Sequence, residues 1–536
     1  MKRWNGWGNE DSEFATTLSE GTRQMLEMLV GPATPSSSVE LDQLIAQVPP
    51  SRLPTHTLIN TDAEARVRHA RGQSLPDLLA IRSGNPGAYP DGVALPTSSQ
   101  DVADLMAFAA QHNFTVIPYG GGTSVAGHIN PETGEQAVLT VDMGGMNQLL
   151  ELDRDSQLAT FGAGAAGPGI EAQLNEQGYT LGHFPQSWEL STVGGWVASR
   201  SSGQQSLRYG RIEQIFAGGR IETFAGALDI PTIPASSAGP DIREMILGSE
   251  GRMGIITEVK VRVTPLAEKE SFHVMFFPSW SDGVAAAKQL VQQKVQLSMV
   301  RLSNPIETMS LLHMGGESED VAALEAILAE QGAGEQKVMM TYGVTGSAEQ
   351  YLASSQLAAK YCSQHGGVDG PDALGEKWAH GRFSAPYLRD PMLDVGYAVD
   401  TMETAVDWTR VSASVDSIET AIRGALADEG EQVHAYTHLS HVYGQGSSIY
   451  TTYLFRCCGS YEKTLQRWAI LKAAGAEAIV ACGGTISHQH GVGGDHREYL
   501  PAEKGELGIA AIRSLCTFFD PNGQMNPGKL LPDAKE

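Results

Sequence analysis

Pro118-Tyr119-Gly120-Gly121-Gly122-Thr123-Ser124 follows directly on a run of β-forming residues that we predict to be a short strand. Three consecutive glycines allow backbone N–H groups to converge on a phosphate without interference from Cβ atoms, and Thr123 and Ser124 add hydroxyl donors. A phosphate nest of this kind needs no lysine, and the loop contains none. The segment therefore predicts a site for the phosphates of a nucleotide. A plain turn is the alternative that the loop alone leaves open.

A second glycine loop, residues 162–167, reads Gly-Ala-Gly-Ala-Ala-Gly and is a literal match to the dinucleotide-binding fingerprint. Glu189 follows at about the spacing, roughly 20 residues, at which the fingerprint carries an acidic residue. However, the preceding strand is short, Pro168 closes the motif at the start of the helix, and no clear second strand leads to Glu189. We therefore interpret this segment as a strand-to-helix joint rather than as an NAD site.

A third segment, from Gly182 to Ser206, is rich in small and hydroxyl-bearing residues. It contains Gln186-Ser187, then Ser191-Thr192-Val193-Gly194-Gly195-Trp196, and then Ser199. Many polar residues with little charge beside a Gly-Gly pair favour close approach of the backbone to a flat ring or a pyrophosphate. A glycine-rich surface loop is the alternative.

The composition argues against several classes of function. The 62 acidic and 37 basic side chains give a net charge of −25, and such a field repels nucleic acid and anionic lipid head groups. The five cysteines are odd in number and lack paired metal-ligand spacing, so we interpret them as reduced packing residues of a cytosolic chain. The N-terminus has no apolar signal core and no run of about 18 apolar residues occurs, so we expect no signal peptide and no transmembrane segment.

The composition and the pattern of predicted helices and strands divide the sequence into four parts. A polar helical arm comes first, followed by an α+β nucleotide-binding domain of short strands, helices and glycine-rich joints. A sheet backed by long helices then covers the substrate, and a C-terminal segment with a glycine turn and a helix completes the active site. The boundaries that we expect are residues 1–84, 85–267, 268–475 and 476–536.

Candidate catalytic residues cluster late in the chain. His488 and His490 would face the same side of an extended segment, so we predict an acid/base role for them. No third or fourth ligand lies at zinc spacing, and we expect no metal. Tyr450 lies on a predicted strand, and a core tyrosine is the alternative. Arg389 is suited to clamping a carboxylate or phosphate, and an ion pair with Asp390 or another surface acid is the alternative.

Together these segments resemble the alkyldihydroxyacetonephosphate synthase family, within the vanillyl-alcohol-oxidase type of FAD proteins, over nearly the whole chain. The selective segments are Arg3-Trp4-Asn5-Gly6-Trp7-Gly8 and the histidine segment 487–493, whereas the triple glycine and Gly248-Ser249-Glu250-Gly251 are shared by the whole class. The resemblance implies an α+β fold, in which a two-lobed FAD-binding domain of the PCMH type joins a cap domain with an antiparallel sheet flanked by helices, after the N-terminal helical arm.

The resemblance also implies the site residues. Tyr450 would be the acid/base tyrosine, His488 and His490 active-site histidines, Arg389 the ligand of the substrate phosphate and Arg301 an arginine needed for activity. FAD would be bound by Pro118, Tyr119, Gly120, Gly121, Gly122, Thr123, Ser124, Gln186, Ser187, Thr192, Gly194, Gly195, Trp196, Ser199, Glu250, Gly254 and Ile256. Relatives with tethered flavin use a histidine just after the glycines. Thr123 holds that place here, so we expect non-covalent FAD.

The implied family reaction is an exchange in which acyl-dihydroxyacetone phosphate loses its acyl chain as a fatty acid and a fatty alcohol replaces it to form an ether. The resemblance implies that the flavin is an electrophile that holds the dihydroxyacetone-phosphate carbon between loss of the fatty acid and addition of the fatty alcohol. An FAD-linked oxidase or dehydrogenase of a 2-hydroxy acid or similar alcohol on the same fold is the alternative. A binding flavoprotein without turnover is a third hypothesis, which Arg389, Tyr450 and the histidines disfavour.

Three positions depart from the family. Gln489 stands where a histidine is common, Gln186 where an acidic residue is common, and Thr401 where a serine is common. We expect a small-molecule or lipid-like phosphate substrate, no nucleic acid, and a homodimer. Because the chain ends without a peroxisomal tripeptide, a cytoplasmic, bacterial-type relative is expected, with peripheral membrane contact left open.

Overall fold

A computed structural model describes residues 2–12, 17–315 and 318–533. The first part of the chain is a helical arm that has a small apolar cluster of its own, around Leu44, Val67 and Ile81, and also packs on the rest of the molecule. Its elements are α1 (Glu20–Val30), α2 (Leu41–Ile45), β1 (Ile59–Asn60), α3 (Ala63–Arg68) and α4 (Leu75–Ser83). Leu26 and Val30 of α1 are buried in one apolar cluster with Met392 and Leu454, which lie far along the chain.

The next part contains two main sheets and one short two-stranded pair. Its elements are β2 (Gly92–Ala94), α5 (Ser99–His112), β3 (Thr115–Tyr119), β4 (Val138–Asp142), β5 (Leu149–Asp153), β6 (Leu158–Gly162), α6 (Gly167–Asn175), β7 (Tyr179–Thr180), α7 (Val193–Ser199), α8 (Ser206–Tyr209), α9 (Ile212–Ile215), β8 (Phe216–Thr223), β9 (Gly226–Ile230), α10 (Arg243–Ile246), β10 (Ile255–Arg262) and β11 (Thr264–Pro265). The first sheet has the order β1-β2-β4-β3, with β4 parallel to both β2 and β3. The second, β5-β6-β10-β8-β9, is antiparallel throughout.

The two main sheets are the two lobes that the family resemblance implies, and one apolar core, which includes residues of α5, α6 and α7, joins them. The second glycine loop lies between β6 and α6, as the interpretation of a strand-to-helix joint requires. A Cβ atom on Gly164 would lie 1.8 Å from the carbonyl oxygen of Met143, so this glycine serves close packing of the chain.

A seven-stranded antiparallel sheet forms the cap, in the order β15-β12-β14-β13-β17-β18-β16. The elements of the cap and the C-terminal segment are β12 (Lys269–Phe277), α11 (Trp280–Gln292), β13 (Met299–Ser303), α12 (Pro305–Gly315), α13 (Ser318–Glu330), β14 (Val338–Gly346), α14 (Ala348–Ser363), β15 (Val368–Asp369), α15 (Asp372–Gly381), α16 (Arg389–Asp394), β16 (Tyr397–Asp407), α17 (Val411–Gly424), β17 (His434–Leu439), β18 (Gly446–Arg456), α18 (Tyr461–Ala481) and α19 (Leu500–Phe519). The largest apolar core packs α11, α17 and α18 against this sheet. In the described part of the chain, no helix has the length and apolar character needed to cross a membrane.

Candidate active site

A cavity of about 700 Å³ lies between the two-lobed part, the cap sheet and α1. This is the size of a site for a large cofactor and its substrate. Every residue predicted to bind FAD lines it, from the loop 118–124 to Ile256. Of the five predicted active-site residues, Tyr450, His490, Arg389 and Arg301 line the cavity, and His488 does not.

The triple-glycine loop has the geometry of a phosphate cradle. Gly122 has φ of +75°, in the left-handed region that glycine adopts at little cost. A Cβ atom on Gly120 would lie 2.5 Å from Oγ1 of Thr192, and one on Gly121 would lie 1.8 Å from the carbonyl oxygen of Leu190. The bare backbone of the loop therefore faces the cavity beside Thr192, the N-cap of α7. These residues fit the pyrophosphate of FAD without a cationic side chain.

Glu250 fastens the C-terminal loop to the FAD-binding part. Its carboxylate accepts the backbone N–H groups of Val492 at 2.5 Å and Gly493 at 2.7 Å. His128 lies 3.3 Å from the same carboxylate through Nε2, and its Nδ1 lies 2.7 Å from Oγ of Ser124. Burial lowers the pKa of His128, but the charge of Glu250 outweighs this and raises the pKa overall. The glycine loop and the histidine loop are thus held together across the cavity wall.

Three strands of the cap sheet form the opposite wall of the cavity. Tyr450 on β18 is paired in register with Glu403 on β16 and with His438 on β17, and directly opposed side chains share a face. Burial raises the pKa of Tyr450 to about 12, so the phenol carries its proton at neutral pH. Because Tyr450 lines the cavity, the alternative of a purely structural core tyrosine is not supported.

The histidine loop is organised by Glu403. Oε1 of Glu403 accepts the backbone N–H of Gln489 at 2.7 Å, the backbone N–H of His490 at 2.6 Å and the hydroxyl of Ser487 at 3.0 Å. The His490 ring meets the Tyr450 ring edge-on at 5.6 Å between centroids. Burial lowers the pKa of His490, which keeps its imidazole neutral and able to accept a proton.

The expectation that His488 and His490 share one side of an extended segment is wrong. Residues 487–490 form a bent loop instead of a strand, so Gln489 and His490 line the cavity while His488 points away. Nε2 of His488 lies 2.7 Å from Arg211 and 2.6 Å from the hydroxyl of Tyr443. Burial, with nearby positive charge, lowers the pKa of His488 well below its ordinary value. The loop turns because its N–H groups converge on one carboxylate, which a period-two pattern cannot reveal.

Arg389 lies at the start of α16 and lines the cavity. Nη1 donates to the carbonyl oxygen of Gln73 at 2.5 Å, whereas Nε and Nη2 are buried and have no hydrogen-bond acceptor among the described residues. The alternative of an ion pair with Asp390 is wrong, because Asp390 binds Arg3 at 2.9 Å and Arg82 at 3.3 Å. Two buried guanidinium donors without acceptors are the feature of an anion site.

The N-terminal tryptophan motif holds this arginine segment in place. The backbone N–H of Trp7 donates to Asp390 at 2.8 Å, and a Cβ atom on Gly6 would lie 2.2 Å from the same carboxylate. Trp7 is buried with Leu190 and Tyr387 in a small cluster. The motif therefore anchors the segment that carries Arg389. This contact explains why residues at the N-terminus belong to a site that lies almost 400 residues further along the chain.

Arg301 is part of a buried network that the sequence did not predict. Its Nη2 donates to Oε1 of Glu307 at 2.7 Å, and Nδ1 of His438 lies 2.9 Å from the same oxygen. Burial raises the pKa of Glu307, but His438 and Arg301 lower it overall to about 2. Burial and Arg301 lower the pKa of His438. The His438 ring stacks on Tyr450 at 5.0 Å between centroids, and all four side chains line the cavity.

A signal for this network was present in the sequence. His434, Tyr436 and His438 alternate along one strand, and this period of two places polar rings on one face of a strand that is otherwise buried. All three line the cavity, as does His441 on the loop after the strand. Glu307 and Glu403 carried no such pattern, since each stands among both polar and apolar residues, with Thr308 after the first and Thr404 after the second.

One end of the cavity is apolar. Along β18 the side chains that line the cavity become less polar, from Tyr450 through Thr452 to Leu454, and Leu454 packs against α1. Neighbouring apolar side chains that line this end are Leu18, Met25, Leu26, Leu29, Leu311, Met392 and Val399. Over the described residues, no group of three or more His, Cys, Asp or Glu side chains is arranged to hold a metal ion.

Comparison with known proteins agrees with this architecture. The family described as "FAD binding domain" matches residues 90–227, and "FAD linked oxidases, C-terminal domain" matches residues 266–530. An alkyldihydroxyacetonephosphate synthase of Dictyostelium discoideum is 32% identical over 485 residues, which cover 89% of this chain and 79% of that protein. A crystal structure of an alkyldihydroxyacetonephosphate synthase superposes with a TM-score of 0.82 at 27% identity, over 98% of both chains. A D-lactate dehydrogenase [cytochrome] of Arabidopsis thaliana is 24% identical over 451 residues, which cover 83% of this chain and 74% of that protein.

The fold and the cavity define an FAD-dependent enzyme of the vanillyl-alcohol-oxidase type, with a two-lobed FAD-binding part and an antiparallel cap sheet. The similarity to the synthases is greater than that to the oxidoreductase and extends over almost the whole chain. The chain belongs to the alkyldihydroxyacetonephosphate synthase family.

Proposed function

We propose that this chain exchanges the acyl chain of acyl-dihydroxyacetone phosphate for a fatty alcohol, with release of a fatty acid and formation of an ether. The observation that carries the proposal is that Arg389 offers two buried donors that find no acceptor in the described part of the chain, in the same cavity as Tyr450 and an apolar end. A phosphate, a proton-transfer group and an alkyl chain can therefore be bound together. An oxidase of a small 2-hydroxy acid needs no apolar region of this kind.

Each group has a separate task in this proposal. Arg389 binds the substrate phosphate by charge-assisted hydrogen bonds from Nε and Nη2. The neutral phenol of Tyr450 and the neutral imidazole of His490 move a proton at the reacting carbon. The side chains beside α1 hold the alkyl chain and exclude water from the reaction. FAD, held by the glycine loop and residues 186–199, supplies the electrophilic ring on which the exchange depends.

The test is an exchange assay with purified FAD-loaded protein, acyl-dihydroxyacetone phosphate and a labelled fatty alcohol. We expect a labelled ether and one fatty acid per turnover, with no net flavin reduction. Tyr450→Phe should lower turnover by about 100-fold or more while the flavin spectrum stays unchanged. Anaerobic bleaching of the flavin by a 2-hydroxy acid, without ether formation, would favour the oxidoreductase alternative instead.

Several finer expectations belong to the same proposal. FAD is non-covalent because Thr123 replaces a tethering histidine, and acid precipitation should leave the flavin in the supernatant. The enzyme is a homodimer that works in the cytoplasm and meets its lipid-like substrates by peripheral contact with membranes. Light scattering during size-exclusion chromatography tests the dimer. Flotation with vesicles tests the contact, and because the net charge is −25, neutral vesicles should bind better than anionic ones.

A further inference from the structure

Tyr450 is flanked on the cap sheet by two carboxylate–imidazole pairs. Glu403 and His438 are its register partners on the two neighbouring strands, so the three side chains form one row across the sheet. On one side Glu403 holds the loop of His490, with 3.6 Å between its carboxylate and Nδ1. On the other side Glu307 holds His438 at 2.9 Å. Both imidazoles contact the phenol ring.

The hydrogen bond to Glu307 fixes the tautomer of His438. Nδ1 of His438 lies 2.9 Å from Oε1 of Glu307 and 3.1 Å from Nη2 of Arg301. Because Nη2 already donates to Glu307 at 2.7 Å, and two lone pairs at 2.9 Å would repel, we assign the ring proton to Nδ1, which donates it to Glu307. Nε2 is then the proton acceptor of the ring, and no described residue hydrogen-bonds to it. Arg301, 2.7 Å from the same carboxylate, balances the charge of Glu307. The ring at rest is therefore a neutral base in a cavity wall.

His438 lies on the strand that leads to the apolar end, where His434 is paired in register with Leu454. Tyr436 on the same strand packs against the apolar cluster that contains Leu26 of α1, and Leu311 of α12 lines the cavity with Glu307. His490, in contrast, lies on the loop that Glu250 ties to the FAD-binding part. An alkyl chain that occupies the apolar end thus brings its terminal oxygen toward the side of the row on which His438 lies.

We infer that His438, oriented by Glu307, is the base that takes the hydroxyl proton of the incoming fatty alcohol. This inference rests on the proposed exchange reaction. A fatty acid leaves as a carboxylate at neutral pH and needs no base. An alcohol hydroxyl, with a pKa near that of water at about 15.7, must lose its proton as its oxygen forms the ether bond.

The proton transfer is balanced over one turnover. The O–H bond of the alcohol breaks and an N–H bond forms at Nε2 of His438, while Glu307 opposes the positive charge that develops on the ring. The proton then passes to the departing carboxylate or to water. The products of the exchange are one ether and one fatty acid, and His438 returns to its neutral form.

The two halves of the exchange can be assayed separately. Labelled fatty acid is exchanged into acyl-dihydroxyacetone phosphate without alcohol, whereas ether formation requires the alcohol. For His438→Gln we expect a loss of about 100-fold or more in ether formation, and fatty-acid exchange within a few fold of the wild type. His273→Gln, on β12 of the same sheet and outside the cavity, is the matched control and should change neither rate.

Glu307→Gln provides a second test that does not remove the imidazole. It should lower kcat for ether formation with little change in KM for the alcohol, and Glu307→Asp should restore part of the rate. If His438→Gln fails to bind FAD, the Glu307 variants decide the matter. Equal losses in both half-reactions, or wild-type ether formation, would overturn the role of His438. A wild-type protein without either exchange would instead reject the proposed function itself.

Discussion

Glu403 is predicted to set the position of the histidine loop. Its Oε1 accepts three donors at 2.6–3.0 Å, from Ser487, Gln489 and His490, and its side chain is almost fully buried. Glu403→Ala removes the one acceptor that these three donors share. Each hydrogen bond to a charged group contributes about 1.5–3 kcal/mol, so the two backbone amides should exchange with solvent about tenfold to 100-fold faster.

Glu403→Gln is the matched variant, because it keeps one carbonyl oxygen as an acceptor and removes only the charge. Hydrogen–deuterium exchange of a peptide that covers residues 485–495 is the measurement, with ether formation measured on the same samples. We expect rapid exchange and a large loss of turnover in Glu403→Ala, and near-wild-type exchange with a smaller loss of turnover in Glu403→Gln. Unchanged exchange in the alanine variant would refute the assignment of Glu403 as the acceptor that orders this loop.

Three further predictions concern cofactor binding, substrate binding and acid stability. Gly121→Ala should abolish FAD binding, because its Cβ atom would lie 1.8 Å from the carbonyl oxygen of Leu190. The measurement is the ratio of flavin to protein in the purified variant. Gly134→Ala is the control and should keep full flavin content, because the space around Gly134 is open. Arg389→Ala should lower kcat/KM for the phosphate substrate about tenfold to 100-fold with unchanged flavin content. Arg410→Ala, at a half-exposed arginine, serves as the control for this variant. Equal kcat/KM values in the two variants would contradict a contact between Arg389 and the phosphate. Glu307 has a pKa depressed to about 2, so its stabilising contribution is present above its ordinary pKa near 4.5 and is lost as the pH falls toward 2. The urea midpoint of Glu307→Gln should therefore fall less between pH 5 and about pH 3 than that of the wild type. If the two proteins show the same dependence of the urea midpoint on pH, the ion pair between Glu307 and Arg301 does not stabilise the fold.

Much of the fold could be predicted because its signals are local. The strand before the triple glycine and the joint at residues 162–167 each depend on neighbouring residues, and the structure places them as expected. Tyr450 was predicted on a strand and lies on β18. The loop 118–124 could be predicted as a phosphate site because such a loop needs contiguous glycines, whereas the other cofactor residues were implied by the family resemblance.

The active-site row could not be predicted in the same way. Glu403, His438 and Tyr450 come together through the register of three antiparallel strands, and Glu307 joins them from α12. Register is fixed by pairing partners and burial across the whole sheet, which no single segment encodes. His488 illustrates the same limit, since its direction depends on a distant carboxylate and not on its own spacing.

The sequence by itself predicted the glycine cradle, and the family resemblance that it carries implied FAD and named Arg389 and Tyr450 as candidate residues of the site. Only the tertiary structure decided that Arg389 has free donors, since Asp390 is occupied by Arg3 and Arg82 from the N-terminal arm. Only the tertiary structure placed two carboxylate–imidazole pairs beside one phenol. Residue type and local spacing set which chemistry is available, but hydrogen-bond partners and burial, which arise from distant segments, decide which atoms remain free to perform it.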